Sequence, residues 1–392
     1  MSNIKRYAFI SNSTKPDENT LNSREEIKPS NMSKLPINAA LNLGYEVYLG
    51  VNRNNPEELT VDFDADIKLY QSNTYRSVFA FRDNYTAYKN LTNLLRSQPF
   101  DVIHCNTPVG GMVGRICGKK AKVRKIIYTA HGFHFYKGAP LLNRTVLKWA
   151  ERLMARYTDA IITINQEDFE AAKKFKLRNG GKVYFMPGVG INTEEYLRVE
   201  PDRVELRKSM GLKEDDIVCI AMGDIVARKN YKTSIQAISE CGSSNIHLLI
   251  CGEGPEKNAL EKLAAGLNVA DRIHFLGFRA DIKQLLKISD IFLFTTLQEG
   301  LPRSMMEAMA SGLPCVASKI RGNVDLIESG KGGFLCGATD YQGFAEKLNL
   351  LAGDSELRLK MGECNLLTIK KYDIDYVKKE LAAIYQKELA AD

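Results

Sequence analysis

The sequence predicts an α/β protein of two domains, each a parallel sheet flanked by helices. Three observations carry this. The chain has 392 residues, about twice a typical domain, which favours two packed cores. Short apolar runs alternate with longer segments whose apolar residues recur at three- and four-residue spacing. A Pro/Gly cluster, MPGVGINTEEY at 186–196, breaks the pattern near the middle, where Pro187, Gly188 and Gly190 punctuate a junction and can serve as a hinge.

The first half reads as strands Tyr7–Ile10, Glu46–Gly50, Val102–Cys105, Lys125–Thr129 and Ala160–Ile164, with helical segments such as Lys34–Leu43 and Asn84–Ser97 between them. In the second half the strands are Ile217–Met222, Ile246–Cys251, Ile273–Leu276, Ile291–Thr295 and Cys315–Ser318. Helices Tyr231–Ser239, Pro255–Ala265, Ile282–Ile288, Pro302–Ala310 and Tyr341–Leu351 fill the gaps, and Asp375–Ala391 reads as a terminal amphipathic helix. The glycines at 188 and 190 evoke G-x-G-x-x-G. The sixth position is Thr193 and no helix is expected to open there, so a dinucleotide fingerprint is not supported.

Composition bounds the class. Hydrophobic content of 44% and charged content of 26% describe an ordinary globular protein. No stretch approaches the ~20 apolar residues that span a bilayer, and the polar N-terminus carries no secretory signal; the expectation is a cytoplasmic protein. Eight cysteines are scattered without a C-x-x-C pair or a neighbouring histidine cluster, which argues against a disulfide framework or a zinc site. The net charge of +7 is uneven: residues 1–187 hold 28 Lys/Arg against 17 Asp/Glu, the rest 26 against 30. Between Arg115 and Arg152 ten basic residues face one acid, Glu151. That stretch reads either as a solvated face or as a surface for an anionic membrane or a phosphorylated acceptor. Nucleic acid is disfavoured, because no recognition-helix, RRM or OB pattern accompanies the charge.

Ligands of open α/β sheets bind beyond the carboxyl ends of the strands, so the residues at those exits are informative. Lys125–Thr129 runs into His131 and Gly132. Ile217–Met222 runs into Gly223 and Asp224, with Arg228 and Lys229 beyond. Ile246–Cys251 leads to Gly252, Glu253, Gly254 and Pro255, and Ile291–Thr295 leads to Glu299 and Gly300. The strongest element is EGLPRSMMEAMASG, 299–312. Pro302 suits the first turn of a helix and Gly312 its end. The helix start offers free N–H groups around Arg303 to Met305 and a partial positive charge suited to a diphosphate. Glu299 and Glu307 flank it; beside an anion they make sense as acceptors for sugar hydroxyl hydrogens. Arg228 and Lys229 would neutralise two phosphates and stabilise a leaving group. Alternatively, they are surface cations.

The segment EGLPRSMMEAMASGLPCVAS resembles the Glu-x7-Glu segment of family 4 glycosyltransferases. HCNTPVGGMVGRI, YTAHGFHFYKGAPL and SKIRGNVDLIESGKGGFLC are similar to the bacterial exopolysaccharide and capsule branch. The resemblance covers nearly the whole chain. It implies a GT-B fold: two Rossmann-like domains facing each other across a cleft, with the C-terminal helix crossing back to the first. It makes 1–187, with the helix 373–392, the acceptor domain, and 188–372 the nucleotide-sugar donor domain. By resemblance, Glu307 binds ribose and Glu299 the donor sugar. Gly300, Leu301 and Pro302 approach that sugar, with Arg303 and Ser304 nearby. Lys229 holds the diphosphate, and His131 contacts sugar or phosphate. Gly223, Gly252 and Gly254 belong to the same donor loops.

Retention of configuration without a bound metal or other cofactor is implied too. The expected donor is a UDP-hexose, foremost UDP-N-acetylhexosamine, and the expected acceptor a saccharide carried on a polyprenyl diphosphate. Two departures stand out. Many members have Gly-Arg where this chain has Gly223-Asp224, with Arg228 as a candidate substitute. The N-terminal glycine-rich loop is replaced by SNSTKPDENTLNS, which leaves Asn12, Arg24 and Lys34 as candidate acceptor contacts. Competing readings are a metal-dependent transferase using Asp62–Asp66 as a D-x-D, a UDP-sugar 2-epimerase of the same architecture, and a non-catalytic partner of another transferase.

Overall fold

A computed structural model describes residues 4–77 and 79–389. The chain divides into two compact units, Met1–Gly190 with Val377–Asp392, and Ile191–Tyr376. Each is built on one parallel sheet.

The first unit holds β1 Arg6–Ile10, β2 Glu46–Val51, β3 Ile67–Gln71, β4 Val102–Asn106, β5 Lys125–Ala130, β6 Ala160–Thr163 and β7 Lys182–Phe185. They pair in the order β3-β2-β1-β4-β5-β6-β7. The order reverses between β1 and β4, so a crevice opens beyond their carboxyl ends. Central strands β4, β5 and β6 are buried nearly end to end, because helices cover both faces.

One face packs Ala8 and Ile10 into an aliphatic core with Ile103, Cys105, Val113 and Ile126. The other face is closed by the terminal helix Ile374–Leu389. There the Tyr385 hydroxyl lies 2.7 Å from that of Tyr7 and 2.6 Å from His104 Nδ1, and His104 Nε2 is 2.7 Å from the Thr129 hydroxyl. Glu388 accepts from Lys125 at 3.0 Å and from the Tyr184 hydroxyl at 2.6 Å. The terminal helix is therefore held by a polar network inside an apolar face. Positions 390 and 391 of the expected helix lie outside the described residues.

The second unit holds β8 Ile217–Met222, β9 Ile246–Cys251, β10 Ile273–Gly277, β11 Ile291–Phe294, β12 Cys315–Ser318 and β13 Gly333–Cys336. Their order is β10-β9-β8-β11-β12-β13, with the reversal between β8 and β11. Alternate residues of β8 feed two cores: Val218, Ile220 and Met222 on one face, Cys219 and Ala221 on the other. All eight cysteines are free and seven are buried.

The structure corrects several expectations. A one-turn helix, Glu194–Leu197, does open just past Thr193; the glycine fingerprint is still unmet, since Thr193 stands at its sixth position. Strands β3, β7 and β13 and the helices Pro108–Lys120 and Ser355–Ile369 add to the expected elements. Pro302 is not inside the helix but is its cap, with extended backbone (ψ 115°), and the helix proper is Arg303–Ala310.

Candidate functional site

The switch point of the second unit is where the sequence-predicted residues gather. A cleft of about 560 Å³ opens beyond β8 and β11, lined by Gly223, Asp224 and Lys229 on one side and by Glu299, Leu301, Pro302, Arg303, Ser304 and Glu307 on the other. The loop after β8 is shaped by a single 3-10 turn, Ala227–Lys229, closed by Asn230 in the left-handed conformation (φ 54°). Asparagine tolerates that backbone better than most residues. The Asn230 amide then donates to Thr295 O at 3.0 Å and to Ala338 O at 2.8 Å, lacing this loop to the one after β11.

Lys229 is thereby turned inward. Its Nζ sits 4.9 Å from the Phe294 ring centroid and donates to Glu299 Oε1 at 2.8 Å. Arg228 Nη1 donates to the same oxygen at 2.8 Å and to Gln298 O at 2.9 Å, and the Thr296 hydroxyl adds a third contact at 3.0 Å. Glu299 is mostly buried, with 13% of its side chain exposed, so two cations and a hydroxyl offset the cost of desolvating its charge. Arg321 Nε holds the Glu299 carbonyl at 3.0 Å, fixing the loop from below.

The helix Arg303–Ala310 has no side-chain N-cap, because its cap is Pro302. Its first turn consequently leaves the N–H groups of Arg303, Ser304 and Met305 without helical acceptors, while Met306 N reaches Pro302 O at 3.3 Å. One turn on, Glu307 accepts from Arg303 Nε at 2.8 Å. Tyr196 also packs on Glu307; burial first, then the Glu307 charge and hydrogen bond, hold its phenol well above its usual range. The Glu307 carboxylate is not a solvated surface group, since its side chain is only 16% exposed.

The glycines play unequal parts. A Cβ at Gly223 would stand 3.0 Å from Lys229 Cε, so the absence of a side chain there lets the lysine cross the strand exit. Gly252 has φ 153° and its missing Cβ would meet Gly223 O at 2.1 Å, which no other residue accommodates. Gly254 is outside the cleft lining, backed against the Ile225 carbonyl, where a Cβ would come within 2.3 Å. Gly300 and Arg228 are likewise not among the lining residues; the Gly300 carbonyl packs over Gly322.

His131 belongs to the first unit. It directly follows β5, beside a small hollow shared with His104, Asn106, Thr129 and Met186. The Asn106 amide, oriented by its own donation to Met32 O at 3.4 Å, places Oδ1 2.7 Å from His131 Nε2. Part of the ring surface stays accessible, yet the surrounding protein desolvates it enough to lower its pKa from 6.5 to about 4. The ring is therefore neutral at physiological pH, with Nε2–H donating to Asn106 and Nδ1 left as an acceptor.

At the first unit's own switch point lies a larger cleft, about 1210 Å³, lined among others by Asn12, Glu25, Lys28, Arg53 and Arg76. Asn12 Oδ1 and Arg53 Nε are buried there without partners. Arg24 and Lys34 do not line it: Arg24 pairs with Glu58, and Lys34 with Asp62 at 3.4 Å. Among the described residues no cluster of three or more His, Cys, Asp or Glu is placed to hold a metal; Asp62, Asp64 and Asp66 occupy an exposed connection before β3.

Sequence reasoning missed Phe278, Arg279 and Ile282, which line the second unit's cleft. They follow β10, so the same question asked of strand exits elsewhere would have found them. It also missed Tyr196 and Thr296, whose contacts are tertiary.

Comparisons with known proteins agree with this geometry. Residues 202–365 match the model for glycosyl transferases group 1, and residues 37–193 match that for glycosyltransferase family 4. EpsD of Bacillus subtilis is 33% identical over 79% of this chain and 82% of its own length. The Escherichia coli UDP-Gal:alpha-D-GlcNAc-diphosphoundecaprenol alpha-1,3-galactosyltransferase is 29% identical over 73% of this chain and 75% of its own. Among solved structures, HepE of Anabaena in complex with UDP superimposes with a TM-score of 0.74 at 20% identity, covering 97% of this chain and all of that one. With two Rossmann-like units, a returning C-terminal helix and these relatives, the chain belongs to the family 4 glycosyltransferases and has their GT-B fold.

Proposed function

We propose that this glycosyltransferase moves a hexosyl or N-acetylhexosaminyl group from a UDP-sugar to a saccharide on a polyprenyl diphosphate, in bacterial polysaccharide synthesis, with retention of configuration. The observation that carries this is the uncapped start of Arg303–Ala310, set beside Lys229 and bracketed by Glu299 and Glu307. Three free N–H groups and an ammonium suit a diphosphate. Two carboxylates are wrong for phosphate oxygens and right for hydroxyl hydrogens, Glu307 for the ribose and Glu299 for the transferred sugar.

The charge logic follows from the contacts. Breaking the C1–O bond to the diphosphate builds negative charge on the leaving oxygen. Lys229, Arg228 and the helix start supply fixed positive charge there, so the mechanism needs no bound metal. The acceptor hydroxyl attacks on the face the diphosphate leaves, and its proton passes to the departing phosphate oxygen. His131, neutral and with Nε2–H spent on Asn106, offers Nδ1 to a sugar hydroxyl better than to phosphate. The cleft at Asn12 and Arg53, with an unpaired acceptor and donor, is assigned to the acceptor. The UDP in the HepE complex and the undecaprenyl diphosphate acceptor named for the E. coli relative support these choices.

The test is transfer from a panel of UDP-sugars to synthetic polyprenyl-diphosphate saccharides in EDTA, with the product anomer read by NMR. One donor is expected to support transfer with its configuration kept. Glu307→Ala should chiefly raise the donor KM, and Glu299→Ala should lower kcat by about a hundredfold. No transfer from any nucleotide sugar, or unaltered kinetics in both variants, would refute the assignment.

A further inference from the structure

The two oxygens of the Glu299 carboxylate are held unequally. Arg228 Nη1 and Lys229 Nζ each donate to Oε1 at 2.8 Å, and the Thr296 hydroxyl reaches the same atom at 3.0 Å. Among the described residues, none donates to Oε2. Yet Glu299 lines the second unit's cleft with its side chain mostly buried. An ionised carboxylate accepts hydrogen bonds on both oxygens, and a desolvated one that lacks a donor is costly. The protein therefore fills one oxygen and leaves the other for a ligand.

The three donors to Oε1 are not equivalent. Arg228 and Lys229 are long side chains, and they are also the charges that a diphosphate would draw away from Glu299. Thr296 differs on both counts. It is buried, 0% exposed, two residues past the end of β11, and its β-branched side chain has few rotamers to choose from. Its hydroxyl has one proton to give. The other oxygens in reach, Arg228 O at 3.2 Å and Gln298 O at 3.4 Å, both lie farther away than Glu299 Oε1. The backbone on either side is pinned as well: Leu297 N donates to Arg228 O at 2.9 Å, and the Thr295 hydroxyl donates to Asn230 O at 2.8 Å.

We infer that Thr296 is a positioning residue for sugar transfer: it anchors Glu299 through Oε1, so that Oε2 accepts from a hydroxyl of the transferred sugar while the diphosphate engages Arg228 and Lys229. The inference rests on Glu299 being the carboxylate that meets the sugar, and deepens that reading by dividing its oxygens between protein and substrate. Thr296 touches no reacting atom and acts through Glu299 alone.

The test is a ratio of dissociation constants within one protein, a UDP-sugar against UDP, because a merely structural loss moves both together. The probes are UDP, UDP-glucose, UDP-galactose and the two N-acetylated counterparts, titrated calorimetrically into the full chain without acceptor. Glu299→Ala should raise the ratio for at least one sugar by about 10- to 100-fold, as expected for a lost hydrogen bond to a charged group. Thr296→Val keeps the shape and removes the hydroxyl; it should raise the ratio about fivefold for the same sugar. Thr296→Ser should keep the wild-type ratio. So should Thr295→Val, which removes a neighbouring buried hydroxyl that does not touch Glu299. If Thr296→Val does not fold, Thr296→Ala carries the same prediction. A ratio unmoved by Glu299→Ala for every sugar would sink the reading of Glu299, and this inference with it. A ratio moved by Glu299→Ala but not by Thr296→Val would overturn the role of Thr296 alone. An equal shift in Thr295→Val would overturn it too, by reducing the effect to a loosened loop.

Discussion

At the scale of single residues, the buried histidines and the Glu299 cluster set what the chemistry can use. Burial lowers the pKa of His131 to about 4 and that of His104 to about 3, both below the 6.5 of an exposed ring. Each is neutral in the fold and takes up a proton more readily when unfolded. The stabilisation is therefore complete above pH 6.5 and is lost as pH falls toward the folded values. For His131 the loss between pH 6.5 and 5 should be on the order of 2 kcal/mol. Denaturant titrations across that window should show it, with a shallower slope in His131→Gln; parallel slopes would mean that the ring is not desolvated as described. Glu299 illustrates a different constraint: Arg228, Lys229 and Thr296 all converge on its Oε1. The aspartate at 224 lines the same cleft, where the positive side chains are those of Lys229, Arg279 and Arg303.

At the scale of elements, the terminal helix is the clearest case of a tertiary contact with a calculable consequence. Its Tyr385 hydroxyl contacts both Tyr7 and His104. Tyr385→Phe should destabilise the first unit by about 1–2 kcal/mol, since Tyr7 and His104 can still bond each other at 2.9 Å. The denaturation midpoint should fall while the slope is kept; an unchanged midpoint would show that the network adds nothing.

The same scale explains what could be read from sequence. The central strands were legible because burial on both faces makes them continuous apolar runs. The unread strands β3, β7 and β13 all lie at sheet edges, where the burial is broken by exposed or half-exposed positions such as Lys68 and Lys182. The helix Pro108–Lys120 was hidden by its four glycines, which suggest a loop. They serve packing: a Cβ at Gly114 would come 2.3 Å from Cys105 Sγ, and one at Gly111 would come 2.5 Å from the Tyr128 ring. Of the candidate site, Lys229, Glu299 and Glu307 stood at strand exits or on a glycine-stopped helix and were readable. Tyr196, more than a hundred positions from Glu307 in sequence, was not; only the folded chain makes it a neighbour.

Across the whole molecule, charge divides along the sequence. The first 187 residues carry the basic excess, 28 Lys/Arg against 17 Asp/Glu, and include the exposed Arg144, Lys148, Arg152 and Arg156. The remainder is mildly acidic, yet its cleft concentrates Lys229, Arg303 and a helix start where a diphosphate would sit. Positive charge is thus spent in two ways, as a broad surface in one unit and as a small fixed site in the other.

The central claim, that this small site grips a nucleotide diphosphate, is tested most directly by calorimetric titration of UDP into the full chain and into Lys229→Ala. Removing one charged hydrogen bond to phosphate should weaken binding about 10- to 100-fold. Equal affinity in the two proteins, or no UDP binding in either, would contradict the account.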